Sequence, residues 1–253
     1  MGYNKLIKYA DIIETYTYER PLPIRPRAKR GVSHRASVPR MASDRNDPLR
    51  QEQYEGKRKD NATRASMVFR RLVSANLGGT DHPFLFTCTY KENQTDIAKG
   101  YKDFSSFIKA LRYKFGKQFR YIAVPEFQKR GAVHFHAMFW GLPDTLAQEE
   151  RHTRLVGTIW GHGFVDVYHT DGHQKLSTYL TKYMTKTFTD YRLLGQKAYT
   201  CSRNLTRPEI VSGISNFGLD SALQESGADK AEVDKTYDTH RLGKGRHRIY
   251  KIK

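Results

Sequence analysis

Residues 119–140 read FRYIAVPEFQKRGAVHFHAMFW, two apolar runs separated by Gln128-Lys129-Arg130-Gly131. Runs of β-branched and aromatic residues broken by a charged, glycine-containing link predict a hairpin, with strands over 119–127 and 132–140. Residues two apart in a strand share a face, so His134 and His136 project side by side. Glu126 lies eight residues before His134. Closing the turn brings it across from the histidines, within cross-strand reach. Two imidazoles and one carboxylate form a mixed nitrogen and oxygen donor set. Such a set suits Mg²⁺, Mn²⁺ or another first-row ion rather than a closed structural zinc. The competing reading pairs Glu126 with Lys129 or Arg130 on the surface. His162, His169 and His173 are further histidines of which one could replace Glu126, though each also reads as an ordinary surface or loop residue.

The flanking sequence extends the hairpin into a domain. Phe84–Tyr90 (FLFTCTY) is dense in aromatic and β-branched residues and reads as a strand in which Cys88 packs. Ile97, Phe104, Ile108, Leu111 and Phe115 fall in one sector of a 3.6-residue helix over 95–116, closed by Gly116. A second helix is expected over 146–160, closed by Gly161 and Gly163, and a fourth strand over 164–169. The order βαββαβ is an α+β, ferredoxin-like split βαβ arrangement, also that of RRM-like domains. It predicts a four-stranded antiparallel sheet with two helices on one face and the other face open for a ligand. This domain is expected over 79–190. A helical lead-in over 47–78 precedes it, starting at Asp47-Pro48, carrying Met67, Phe69, Leu72 and Val73 near helical spacing, and stopping at Gly78-Gly79. Residues 1–46 are expected to be a basic, partly disordered arm, with prolines at 21, 23, 26 and 39 among several arginines. Residues 191–253 are read as a basic accessory segment.

A further helix is expected over 175–187. Tyr179, Lys182, Tyr183 and Lys186 follow the i, i+3, i+4, i+7 pattern and share a face, beside a stripe of Leu176, Leu180 and Met184. Two tyrosines and two lysines on one face suit a polyanion. The same pattern also fits an amphipathic helix whose tyrosines cover the edge of a core.

Charge points the same way. The 253 residues carry 44 Lys and Arg against 26 Asp and Glu, a formal net charge of +18. An excess of this size attracts polyanions, of which nucleic acid is the commonest in a cytosol. The 16 Tyr and 13 Phe interleaved with these cations suit single strands, whose bases stack on aromatic rings. Arg203 and Arg207 are candidate phosphate contacts. Two cysteines without a CxxC pair give neither a disulfide framework nor a zinc ribbon, and imply a reducing cytosol. The start reads as no secretory signal, and no apolar run approaches a membrane span.

Together, FLFTCTY, His134-Phe135-His136 and Tyr179-Leu180-Thr181-Lys182-Tyr183 resemble, in order, the three motifs of the HUH endonuclease superfamily. The likeness is to its rolling-circle replication initiators of small single-stranded DNA phages and related plasmids. It covers about residues 66 to 210. The resemblance implies metal-dependent, site-specific nicking and religation of single-stranded DNA through a 5′-phosphotyrosine link, leaving a 3′-hydroxyl primer. It implies a metal held by Glu126, His134 and His136, with Tyr179 as nucleophile, Tyr183 as a second nucleophile or a packing residue, and Lys182 meeting phosphate charge. Lys186 is then a DNA contact. The partners implied are single-stranded DNA or an origin hairpin, and a host helicase and DNA polymerase, in the host cytosol and on the nucleoid when bound to DNA. No G-x-x-x-x-G-K-[ST] phosphate loop occurs, so strand separation is expected to fall to another protein. Two other readings stand beside this one: an HUH transposase or relaxase, and a non-catalytic RRM-like nucleic-acid-binding module. The last gives no reason for the histidine pair or the Tyr-Lys helix.

Overall fold

The structure is a computed structural model that describes residues 2–22, 63–77, 82–143, 146, 150–170, 187, 190–193 and 196–252. The chain forms two compact units. One spans residues 61–207, and the other combines residues 1–60 with 208–253.

The central unit contains helical residues 63–74 (α1), then β3 (Phe84–Tyr90), α2 (Ile97–Phe115), β4 (Arg120–Phe127), β5 (Val133–Trp140), α3 (Glu150–Trp160), β6 (Gly163–His169) and the short β7 (Thr200–Cys201). The labels β1 and β2 belong to Tyr3–Tyr9 and Ile12–Tyr18 of the other unit. The sheet order is β6-β3-β5-β4-β7, with every pairing antiparallel. This is the split βαβ order expected from the periodicity, with β7 added at the β4 edge. The hairpin closes as expected: Gln128 N–H donates to the Ala132 carbonyl at 2.8 Å, and Gly131 takes φ 90°, which suits a residue without Cβ.

Alternation sorts the strands into two faces. Phe84, Phe86, Cys88, Val133, Phe135, Ala137, Phe139 and Val165 pack with Phe104, Phe107, Ile108 and Leu111 of α2 and Val156 and Trp160 of α3. Phe104 stacks on Phe135 with ring centroids 4.6 Å apart. Asp96 caps α2 by accepting from Ala98 N–H at 2.8 Å, and Gly116 ends it at φ 90°. Burial of this many aromatic rings supplies most of what holds the unit together.

The opposite face differs from the open surface expected from sequence. Phe69, Leu72 and Val73 of α1 cover Ile122, Val124, Met138 and Trp140 there, joined by Leu205. The lead-in helix is thus a covering layer over the β4 and β5 part of that face.

The other unit is a second five-stranded antiparallel sheet, ordered β8-β1-β2-β10-β9. Its remaining elements are β8 (Glu209–Ile214), α4 (Asn216–Glu225), β9 (Ala231–Thr239) and β10 (Gly243–Lys251). Residues 3–18, read from sequence as part of an arm, are its central hairpin. Residues 23–46, the rest of that arm, and residues 47–62 of the expected lead-in lie outside the described residues. Leu6, Ile13 and Tyr250 pack with Leu219 and Leu223 of α4. The basic chain end is a strand whose cations have acidic neighbours: Arg246 donates to Asp234 at 2.7 Å, and Lys251 lies 3.9 Å from Asp11. Among the described residues, no helix is long and apolar enough to cross a membrane.

Candidate functional site

Register places the chemistry-bearing residues in transverse rows. Glu126, His134, Thr89 and Phe164 are successive partners across β4, β5, β3 and β6. The next row is Val124, His136, Thr87 and Asp166, and the third is Ile122, Met138, Leu85 and Tyr168. Directly paired residues of antiparallel strands point to the same side. All three rows therefore lie on the face opposite α2 and α3. Helix α1 covers Ile122 and Met138 of the third row and reaches Val124, but Glu126 and His134 are not part of the core it closes.

Glu126 and His136 are in direct contact, with Glu126 Oε2 2.8 Å from His136 Nε2. On its other side, His136 Nδ1 lies 3.4 Å from Thr87 Oγ1. Nearby, Arg130 donates to Gln128 Oε1 at 2.8 Å and to the Lys91 carbonyl at 3.2 Å.

His134 is arranged differently. Its ring centroid lies 6.3 Å from that of His136, and its Nε2 is buried without a hydrogen-bond partner. Burial, followed by the neighbouring His136 and Arg130, lowers its pKa to about 4 against an opposing pull from Glu126. The imidazole is therefore neutral at pH 7, with a lone pair available. A dry, unpaired nitrogen costs stability unless something takes it up. This orphaned atom and the imidazole–carboxylate donor set fit a divalent ion that accepts nitrogen and oxygen ligands. As they stand, no three His, Cys, Asp or Glu side chains among the described residues are grouped tightly enough to hold an ion. Glu126 is engaged by His136, and His134 stands apart.

The remaining candidates separate clearly. His169 stacks on Phe84 at 4.4 Å and His162 lies 3.8 Å from Asp103, so both sit at other contacts. His173, Tyr179, Lys182, Tyr183 and Lys186 lie outside the described residues. Thr187, which directly follows that segment, is buried and donates its hydroxyl to the Pro125 carbonyl at 2.5 Å. It also lines a cleft of about 620 Å³ with Glu126, Phe127, Lys129, Arg130 and Asp190. Sequence reading missed this anchor, because a lone threonine carries no signal. Arg203 and Arg207 are exposed on the chain after β7. Neither is brought to the Glu-His cluster by any contact among the described residues.

Tyr90 supports the strand end beside the site. Its hydroxyl donates to Asp103 Oδ2 at 2.9 Å, as does Lys99 Nζ at 2.8 Å. Trp160 Nε1 donates to the Thr89 carbonyl at 3.1 Å. These bonds fix the end of β3 that carries Thr87 and Thr89.

Residues 83–188 match the family model of the replication-associated protein ORF2/G2P. The matched segment runs from the first strand of the split βαβ sheet to the Thr187 anchor, and bears out the resemblance to rolling-circle initiators. No curated protein and no solved structure matches the chain.

Proposed function

We propose that this chain, whose residues 83–188 match the replication-associated protein ORF2/G2P family model, is an HUH-type nicking and joining enzyme that initiates rolling-circle replication. The carrying observation is the row geometry. Glu126, His134 and His136 share the end of one sheet face that α1 leaves uncovered, and His134 presents an unpartnered buried nitrogen. An RRM-like module needs no such atom. A transposase or relaxase has the same requirement and differs only in its DNA substrate.

Glu126, His134 and His136 would hold a divalent ion, Mg²⁺ or Mn²⁺. When bound there, the ion supplies Lewis-acid stabilisation of phosphate charge. The chain's residues do the rest. Thr87 orients His136 from Nδ1, the kind of outer partner that fixes a ligand ring. Tyr179 would attack the scissile phosphorus in line; its oxygen–phosphorus bond forms as the bond to the 3′ oxygen breaks, and that oxygen leaves as the primer hydroxyl. The phenol proton must depart, since free tyrosine titrates near 10. Lys182 would favour the phenolate and meet the developing charge on phosphate. Tyr183 would serve a second round.

The test is an adduct assay. Single-stranded DNA carrying a candidate origin hairpin, incubated with Mn²⁺, is expected to give a denaturation-resistant protein–DNA adduct that chelator abolishes. Tyr179→Phe is expected to remove most of it, and the double variant with Tyr183→Phe all of it. An adduct that persists in the double variant would overturn the tyrosine assignment. Tight binding without an adduct, on DNA that contains the cognate origin, would favour the binding module.

A further inference from the structure

Strand β6 is an edge of the sheet, and it carries Phe164, Asp166 and Tyr168 on the same face as the histidines. Phe164 is 69% exposed and Tyr168 61% exposed. Their neighbours Val165 and Val167 point the other way, into the α2–α3 core. Single exposed aromatics are ordinary on protein surfaces. Here two of them flank a carboxylate on one strand, and Phe164 and that carboxylate share transverse rows with the site. Phe164 continues the row Glu126–His134–Thr89, and Asp166 continues the row of His136 and Thr87. Two strand spacings put Phe164 roughly 10 Å from His134, and four residues along the strand put Tyr168 roughly 13 Å from Phe164.

The charges on this strand select what can lie there. Sugar-phosphate backbone is disfavoured beside Asp166, which repels it. Unpaired bases are favoured: their faces stack on the two rings, and an exocyclic amino group can donate to the carboxylate. A duplex offers no free base faces and cannot use the rings. Resting on the nicking function proposed above, we infer that Phe164 and Tyr168 form a stacking platform for unpaired bases beside the scissile phosphate, and that Asp166 selects a base bearing an exocyclic amino group. The platform would give the enzyme its preference for single strands.

The test uses the full chain, metal-free, and fluorescence anisotropy with three probes of equal length: oligodeoxycytidylate, oligodeoxythymidylate and an abasic phosphodiester oligomer. The wild type is expected to bind both base-bearing probes more tightly than the abasic one, and cytidylate over thymidylate. Phe164→Ala and Tyr168→Ala are each expected to weaken binding of the base-bearing probes by roughly 5- to 100-fold, while abasic binding and its salt dependence stay unchanged. Phe164→Tyr and Tyr168→Phe, which keep the rings, are expected to bind as the wild type does, which separates lost stacking from a damaged fold. Asp166→Ala is expected to remove the cytidylate preference. Equal loss on all three probes, or no loss on any, overturns the platform; an unchanged cytidylate-to-thymidylate ratio in Asp166→Ala overturns the selecting role. The adduct assay is independent of these readouts: an adduct-forming wild type whose base preference survives both alanine variants sinks this inference alone, and a wild type that forms no adduct on its origin sinks the nicking function instead.

Discussion

Replacing His134 with leucine is expected to leave the central unit at least as stable as the wild type while abolishing cleavage. A fully buried nitrogen left without a partner costs about 1–3 kcal/mol. His134 Nε2 is such an atom, but its ring keeps partial exposure, so the penalty reduces to about 1 kcal/mol. Leucine has similar bulk and leaves no cavity at a position beside the α1-covered apolar rows. The expected change is therefore from zero to about 1.5 kcal/mol of added stability. The wild type should instead gain from metal: at 100 times the dissociation constant, Mn²⁺ bound only to the native state adds about 2.7 kcal/mol. The leucine variant should lose most of that gain. Tryptophan fluorescence, excited selectively over tyrosine, reports this unit in a urea titration, because the chain's two tryptophans, Trp140 and Trp160, are both buried in it. A loss of more than about 2 kcal/mol in the variant, the range of a damaged core, would show that His134 supports the fold. An equal Mn²⁺-induced shift in both proteins would falsify its role as a ligand.

Three other outcomes are expected. Gly163→Ala should destabilise the unit by about 2 kcal/mol or more and loosen β6, because the residue sits at φ 155° and a Cβ there would lie 2.4 Å from both Lys91 N and the Thr89 carbonyl; an unchanged urea midpoint would refute that strain. Burial opposes ionisation of Asp103, but hydrogen bonds from Lys99 and Tyr90 and the charge of His162 outweigh it and hold its pKa below the usual value. A lowered carboxylate pKa stabilises the native state above the unfolded value near 3.9 and stops doing so as pH falls through the folded value. Acid titration should therefore show the wild type losing stability relative to Asp103→Asn in that window, and parallel curves would discard the assignment. Thr187→Val removes the bond to the Pro125 carbonyl; the rate of adduct formation should fall about tenfold with the Mn²⁺-induced urea shift preserved, whereas an unchanged rate would mean that this anchor does not position the segment before it.

The hairpin was legible because its information is local. A period of two, a short charged link and a Glu-to-His spacing of eight residues are enough to bring Glu126 across from the two histidines; the register found pairs it with His134. The helix over 97–115 was legible for the same reason, its apolar sector repeating every 3.6 residues, and the helix over 150–160 was marked by the glycines that close it. What stayed hidden depends on pairs remote in sequence. Tyr3–Tyr9 and Ile12–Tyr18 carry strand-like composition, but the partners that complete their sheet begin at Glu209 and Gly243. With Pro21, Pro23 and a run of arginines following, they read as the start of an arm. Thr200–Cys201 is two residues long, too short for any pattern. Phe69, Leu72 and Val73 announced a helix without saying which surface it covers.

That last omission bears most on function. A sheet with helices on only one face leaves the whole opposite surface wet, and nothing then distinguishes one polar side chain from another. Here α1 seals Ile122, Val124, Met138, Trp140 and Leu205 into a second core. The seal reaches Val124 of the His136 row and stops short of the row of Glu126 and His134. His136 is only 7% exposed, and Glu126 and His134 stand at the edge where the dry interior meets solvent. A lower dielectric at such an edge strengthens the attraction between a carboxylate, neutral imidazoles and a cation, while the uncovered side still admits a phosphodiester. Shortening the apolar contact of α1, as by Phe69→Ala, should therefore do two things at once. It should cost about 3–5 kcal/mol of stability, since Phe69 is fully buried. Under conditions where the unit is still folded, it should also weaken Mn²⁺ binding measured by the urea shift, though Phe69 touches none of the three proposed ligands in the contacts described. A variant that lost the stability but kept the full Mn²⁺ shift would separate the covering layer from the site, and the histidines would owe their properties to the strands alone.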